Sequence, residues 1–331
     1  MSIKSDILKE FEKNKGETIS GAKLAKALNV SRTSIWKHIE ELRKDGYEIT
    51  AVTNKGYSLS NNTDLISAEG IIPYLDKDYS DISIYAYKTL ESTNKTAKEL
   101  SFKDAEHGTV IISEEQTAGR GRLGRKFYSP SNSGIYMSII LKPNLTIADS
   151  VLITTAASVA VCRAIEKSTG IEAKIKWIND IVLNNKKICG ILTEASSDFE
   201  SGTIDNIILG IGINFNTPIE NFPDEIQNTA ASLFTKENSK ISRNQLCAEI
   251  INEVLSMSAN LKEHNFIDEY KKRSIVLDKD IVFIRNGIST KAHAIDIKDD
   301  GSLVVKKEDD EIIILNSGEI SIRGFSNTLK F

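Results

Sequence analysis

The spacing of apolar residues changes its period twice along these 331 residues, and no single helical bundle or single sheet accommodates all three regimes. Over residues 1–62 apolar side chains recur every three or four positions before a short alternating stretch. From 66 to about 270, strand-length apolar runs are interspersed with long helical patterns. From 277 onward the alternation has a period of two. The chain is also too long for one ordinary core. An α+β multidomain chain is expected, with boundaries at 1–62, 66–274 and 277–331 and a polar bridge, Asn61 to Leu65, after the first unit.

In the first unit Ile3, Ile7, Leu8 and Phe11 share one helix face, and Gly16 ends that run. Ser20 is placed to cap a short helix carrying Leu24, Ala25 and Leu28. Asn29-Val30 turns the chain, and Ser31 is placed to cap a second helix with Ile35, Ile39 and Leu42 on one side. Residues 47–52, the turn around Lys55 and residues 57–59 add a wing. The expected module is a winged helix-turn-helix, which reads DNA by laying its second helix in the major groove. Ser31, Arg32, Thr33, Lys37 and Lys55 are the candidate DNA contacts. Trp36 is expected to pack inward, because Arg, Lys, Asn and Gln are the usual readers of base edges. Charge agrees: residues 1–62 hold 11 Lys and Arg against 8 Asp and Glu, a balance of +3, while the remainder carries −7.

The middle segment offers strand candidates at 82–87, 109–114, 135–141, 171–177, 181–183, 188–194 and 206–214, with helices at 148–169 and 243–260. The last segment has five short alternating runs separated by turns at Asn286-Gly287, Asp299-Asp300-Gly301 and Asn316-Ser317-Gly318, the pattern of a small closed β-barrel. Cys162, Cys189 and Cys247 are scattered and flanked by apolar residues, which fits reduced thiols better than a disulfide framework. No metal-ligand set is evident. No apolar run approaches the roughly 20 residues that cross a bilayer, the N-terminus lacks a secretory pattern, and a cytoplasmic location without membrane contact is expected.

The densest chemical signal is Gln116-Thr117-Ala118-Gly119-Arg120-Gly121-Arg122-Leu123-Gly124-Arg125. Its Gly-x-Gly-x-x-Gly spacing invites a dinucleotide fold, but such a fingerprint must open a helix, and the segment runs instead into Phe127-Tyr128-Ser129-Pro130. Arginines interleaved with glycines make a flexible loop that can wrap an anion, phosphate above all, and bring backbone N–H groups to it.

Five segments together resemble the biotin protein ligases, across nearly the whole chain: this loop; Glu91-Ser92-Thr93-Asn94; Lys176-Trp177-Ile178-Asn179-Asp180; Lys187-Ile188-Cys189-Gly190-Ile191-Leu192-Thr193-Glu194; and Gly210-Ile211-Gly212-Ile213-Asn214. The resemblance implies a central mixed α/β domain of the class II synthetase-like, lipoate ligase-like kind and an SH3-like terminal barrel. It implies biotin contacts from Ser92, Thr93, Asn94, Gln116, Gly119, Arg120, Gly121, Arg122 and Lys187. It places Arg122, Arg125, Trp177, Asn179, Lys187, Gly212, Asn214 and Arg323 about the nucleotide. Ile178 stands where the family usually has Pro, which loosens that turn, and Val276-Leu277-Asp278-Lys279 departs from the usual entry to the last domain.

The implied reaction uses biotin and ATP with Mg2+ to form biotinyl-5′-AMP, then passes biotin to a lysine of a biotin carboxyl carrier protein. Carboxylate attack on the α-phosphate brings two anions together, so fixed cations are needed; Lys187 and Arg122 are the main catalytic candidates. Asp180 is a candidate for taking the proton of the carrier lysine or for orienting Asn179, and equally for a structural pairing with Lys176. The winged module implies a biotin-responsive repressor of biotin synthesis or transport genes, dimerising on the adenylate at a two-fold operator. Two alternatives stand beside this: a lipoate or octanoate ligase, and a biotin-sensing repressor without catalysis. A chain that is itself a biotin acceptor is disfavoured, since no Met-Lys-Met-like hairpin is present.

Overall fold

The computed structural model describes residues 2–53, 55–142, 150–197, 204–235, 239, 241–285 and 287–322. The N-terminal unit comprises α1 (Ile3–Lys13), α2 (Gly21–Ala27), α3 (Arg32–Lys44) and the antiparallel pair β1 (Ile49–Val52) and β2 (Gly56–Leu59). Ser20 and Ser31 accept hydrogen bonds from the backbone N–H groups of Ala22 and Ser34, satisfying donors that a helix start leaves free. Ile7, Leu8, Phe11, Leu24, Ile35, Ile39, Leu42, Ile49 and Leu59 form its own core.

The body begins with α4 (Ala68–Ile71) and is built on β3 (Ile84–Tyr87), β4 (Val110–Ser113), β5 (Gly134–Leu141), β6 (Lys174–Lys176), β7 (Asp180–Leu183), β8 (Lys186–Ser197) and β9 (Ile204–Asn214). Its helices are α5 (Thr93–Ser101), α6 (Ser150–Thr169), α7 (Arg243–Ala259) and α8 (Ile267–Arg273). The strands order as β3-β4-β5-β9-β8-β7-β6. Only β3 and β4 run parallel; every other neighbouring pair is antiparallel. The arginine loop therefore joins antiparallel neighbours β4 and β5, which excludes a βαβ dinucleotide unit there.

Side-chain alternation divides this sheet between two layers. Val110, Ile112, Ile139, Leu141, Ile207 and Leu209 enter the main core with α6 and α7, whereas Ile111, Ile140 and Ile208 meet Ala97 of α5 on the opposite face. α5 is only 9 residues long, so it covers that second face incompletely. The uncovered remainder holds the site described below.

The last unit contains β10 (Lys279–Arg285), β11 (Ile288–Ile297), β12 (Leu303–Lys307), β13 (Ile312–Leu315) and β14 (Glu319–Ile322), an antiparallel sheet in the order β13-β12-β11-β10-β14. All five expected strands are present. Among the described residues, however, β13 and β14 remain edges, so the sheet is open rather than the closed barrel expected. Its inner residues join the core of the body. Trp177 Nε1 donates to the Gly301 carbonyl at 3.0 Å and Lys271 pairs with Asp296 at 2.8 Å across the same junction. No described helix is long and apolar enough to cross a membrane.

Candidate active site

On the α5 face of the sheet, register places Gly212 between Tyr136 and Gly190, and Gly210 between Ser138 and Leu192. Strand neighbours lie about 4.8 Å apart, so a run of missing side chains opens a hollow. The hollow, with its open mouth included, spans about 310 Å³ and is walled by the start of α5 (Ser92, Thr93, Asn94), by Gln116, Arg120 and Phe127, and by residues of β5, β8 and β9. A Cβ on Gly212 would lie 2.6 Å from the Phe127 ring, and one on Gly210 would lie 2.2 Å from Asn94 Oδ1. Both glycines are therefore needed for close approach. Phe127 also meets Tyr136 edge-on, with centroids 6.3 Å apart.

The polar wall is internally braced. Gln116 Oε1 accepts from the Thr93 N–H at 2.8 Å and lies 3.2 Å from its hydroxyl, while Gln116 Nε2 donates to Ser129 Oγ at 2.9 Å. The Ser138 hydroxyl sits 2.8 Å from Thr93 Oγ1 and 2.7 Å from Asn94 Oδ1, and Asn94 Nδ2 donates to Glu194 at 2.6 Å. Ser92, the N-cap residue of α5, is 1% exposed and its hydroxyl makes no hydrogen bond with any described residue. That hydroxyl lines the cavity and is available to a ligand placed there.

At the cavity edge the side chain of Lys187 runs along Gly190, where an added Cβ would lie 3.0 Å from the amine. The Lys187 amine pairs with Asp180 Oδ1 at 2.6 Å. The backbone of Lys187 is clamped: its N–H donates to Thr229 and its carbonyl accepts from the Ala231 N–H and, at 3.5 Å, from Asn214 Nδ2. Asp180 thus pairs with Lys187 and not with Lys176, whose amine burial holds below the ordinary lysine range while Asp180 opposes that shift. Arg122 Nη1 donates to Asn179 Oδ1 at 3.2 Å, and Asn179 Nδ2 is anchored on the Ile191 carbonyl at 2.7 Å. Burial lowers the Arg122 pKa, but a guanidinium stays charged in proteins.

The loop itself forms a tight turn: Gly121 N–H donates to Arg125 O at 2.7 Å, and Phe127 N–H to Gly119 O at 2.9 Å. Its three arginines diverge, with Arg120 3.9 Å from Glu91, Arg122 toward Asn179, and Arg125 on Glu319 at 2.5 Å. Trp177 is 4% exposed with its N–H on Gly301, and Asn214 uses its amide on the carbonyls of Ala231 and Lys187, so both brace the scaffold. Arg323 lies outside the described residues. The turn at Ile178, expected to be loose, has a cis Trp177–Ile178 bond, and the Ile178 carbonyl accepts from Tyr270 Oη at 3.0 Å and Ser158 Oγ at 3.4 Å. Phe127, Tyr136, Gly190, Leu192 and Gly210 also line the cavity, and Ser138 braces its polar wall; sequence assigned them no role, although alternation along 134–141 was a signal for Tyr136 and Ser138, and Gly190, Leu192 and Gly210 stand within the quoted motif segments.

On α3 the structure exposes Arg32, Thr33 and Lys37, with Lys55 exposed on the wing. Trp36 corrects the expectation of packing: it is 54% exposed. The core face is set by Ile35, Ile39 and Leu42, and residue 36 lies about 100° around the helix from residue 35.

Three family models match in succession: an HTH domain over residues 4–58, the biotin/lipoate A/B protein ligase family over 86–214, and the biotin protein ligase C terminal domain over 276–323. The bifunctional ligase/repressor BirA of Bacillus subtilis is 41% identical over 242 residues, covering 73% of this chain and 74% of that protein. The chain belongs to the BirA ligase/repressor family. The Escherichia coli BirA is 28% identical to this family member over 320 residues, covering 93% of this chain and 94% of its own. The biotin protein ligase of Aquifex aeolicus, solved in complex with biotin and ATP, superposes with a TM-score of 0.62 at 26% identity, over 73% of this BirA-family chain and 98% of that one.

Proposed function

We infer that this BirA-family chain is a biotin protein ligase that forms biotinyl-5′-AMP from biotin and ATP, transfers biotin to a carrier-protein lysine, and represses transcription by binding operator DNA. One observation carries the reading: a braced polar cavity with an uncommitted Ser92 hydroxyl opens beside the Lys187 amine. That arrangement suits a neutral hydrogen-bonding ring system whose carboxylate tail meets a cation. Ser92, Thr93, Asn94, Gln116, Gly119, Arg120 and Gly121 are assigned to biotin. Arg122, Arg125, Asn179, Gly212 and Lys187 are assigned to the carboxylate and phosphates, with Trp177 and Asn214 holding that edge in shape and Arg323 directed to the nucleotide.

In the first step a biotin carboxylate oxygen bonds to the α-phosphorus as the bond to pyrophosphate breaks. Lys187 and Arg122 offset the negative charge that this approach concentrates, and Mg2+ arrives with the nucleotide, held by its phosphates. In the second step the carrier amine attacks the mixed-anhydride carbonyl, forming an amide and releasing AMP. A free lysine is almost wholly protonated near neutrality, since its pKa is about 10.4, so an acceptor is required. Asp180 is the carboxylate nearest to Lys187 and is proposed for that role.

The units 1–62, 66–274 and 277–331 are taken as DNA-binding module, ligase body and SH3-like terminal unit of a cytoplasmic protein. Arg32, Thr33, Lys37 and Lys55, with Ser31 capping the helix, are assigned to the operator, and the adenylate is proposed to favour a homodimer that spans two half-sites. The partner in catalysis is the carrier domain of a biotin-dependent carboxylase. ATP–pyrophosphate exchange tests the chemistry: biotin should support it and lipoate or octanoate should not. Exchange driven equally by octanoate would transfer the site to the lipoate ligases, and none with any acid would leave a repressor without catalysis.

A further inference from the structure

We propose that Trp36 is a specificity residue of the DNA-binding helix, reading the C5-methyl group of a thymine in each operator half-site. The inference rests on the DNA-binding reading above and names the base feature recognised. Arg32, Thr33, Trp36 and Lys37 fall within an arc of about 140° at 100° per residue, which adjoins but does not overlap the arc of the core residues Ile35, Ile39 and Leu42. The indole is 54% exposed, whereas the chain's other tryptophan, Trp177, is 4% exposed. Among the described residues no ring stacks on Trp36 and its N–H has no hydrogen-bond acceptor.

The charges around it say what covers it. Farther along α3 both carboxylates are engaged within the helix, Glu40 with Arg43 at 2.5 Å and Glu41 with His38 at 3.0 Å. Arg32 and Lys37, which flank the indole, form no ion pair within 4.0 Å of any described residue, and Lys37 feels Glu41 only at longer range. A bare apolar surface between two exposed cations without a direct ion pair matches a partner that is anionic along its edges and carries an apolar group between them. The major groove has that form, with phosphates on both rims and, on the base edges, one hydrocarbon group, the thymine methyl. The position agrees too, because Trp36 lies in the N-terminal half of α3, the part of a second helix that reaches base edges.

The probe is a duplex enriched from a random library by the full chain with biotin and ATP present. Each of its thymines is then replaced singly by deoxyuridine, which removes the methyl and leaves base pairing unchanged. For the wild-type chain, affinity should fall about fourfold at one thymine per half-site, the effect of one methyl withdrawn from burial, and stay level elsewhere. Trp36→Ala should bind the parent duplex more weakly and lose the response at that thymine; equal thermal unfolding of the two proteins controls for the fold. Identical deoxyuridine profiles for the wild type and Trp36→Ala overturn the inference while leaving DNA binding intact. Failure of the wild-type chain to enrich any duplex overturns the DNA-binding reading and this inference with it.

Discussion

Gly212 has no side chain because the Phe127 ring occupies the space one would fill, 2.6 Å from an ideal Cβ. The contact is with an aromatic ring wedged against Tyr136, not with the end of a flexible side chain, so the ring must shift into the cavity to admit even a methyl. Gly212→Ala should therefore fold yet raise KM for biotin at least tenfold, measured by steady-state adenylation with biotin varied. An unchanged KM would place the ligand elsewhere. The residue scale is also where sequence reading was least complete. Gly-x-Gly-x-Asn drew attention to Gly212, but the side that Gly212 faces depends on its pairing with Tyr136 and Gly190, a relation among three strands that no local spacing contains. Trp36 shows the converse: its place one position off the Ile35 stripe was visible, and its residue type led to the wrong face.

At the scale of elements, one buried guanidinium ties together the segment leaving the DNA-binding unit, the stretch after β4 that leads to Gln116, and β5, which lines the cavity. Arg243, at the start of α7, is 1% exposed; it reaches Asp64 Oδ2 at 3.1 Å, Glu114 Oε2 at 2.7 Å and the Gly134 carbonyl at 3.1 Å. Glu114 in turn accepts from the Ile66 N–H at 2.6 Å. Glu114 follows β4 two residues before Gln116, and Gly134 opens the strand that carries Tyr136. Arg243→Met would leave Glu114 buried and unpaired, a loss of about 3–5 kcal/mol, seen as an earlier midpoint in urea unfolding. A shift below 1 kcal/mol would mean that solvent already reaches the pair. Strong periodic elements were legible in sequence: α3, β5, β9, α7 and the five terminal strands lie within a few residues of expectation. α5 was not, because Ala97 is its one fully buried apolar residue and a nine-residue helix with so little apolar stripe has no clear period. Barrel closure was not legible for a related reason: alternation gives strands, whereas closure depends on which edges meet, and among the described residues β13 and β14 do not.

At the scale of the whole molecule, the DNA-binding unit meets the body through ionisable groups. Glu12 is 4% exposed and its Oε1 has no hydrogen-bond partner among the described residues; burial raises its pKa, outweighing Lys15, with Asp64 and Glu69 adding to the rise. A carboxyl with a raised folded-state pKa favours folding while protonated, and that contribution is lost as pH climbs from the ordinary carboxylate range through the folded value. Glu12→Gln should therefore raise Tm at pH 7, by an amount corresponding to about 1 kcal/mol, and the gain should vanish toward pH 4. A Tm lowered at pH 7 would show that the pairing with Lys15 dominates.

The ligase reading rests on fixed cations meeting a carboxylate and a phosphate at the mouth of this cavity. Its most direct measurement is the single-turnover rate of biotinyl-5′-AMP formation in Lys187→Gln and Arg122→Gln, each at saturating biotin and ATP. The expected result is a loss of at least a hundredfold in each variant, the scale of removing one preorganised charge from a transition state, with thermal unfolding close to wild type. Adenylate formed at the wild-type rate by both variants would contradict the account.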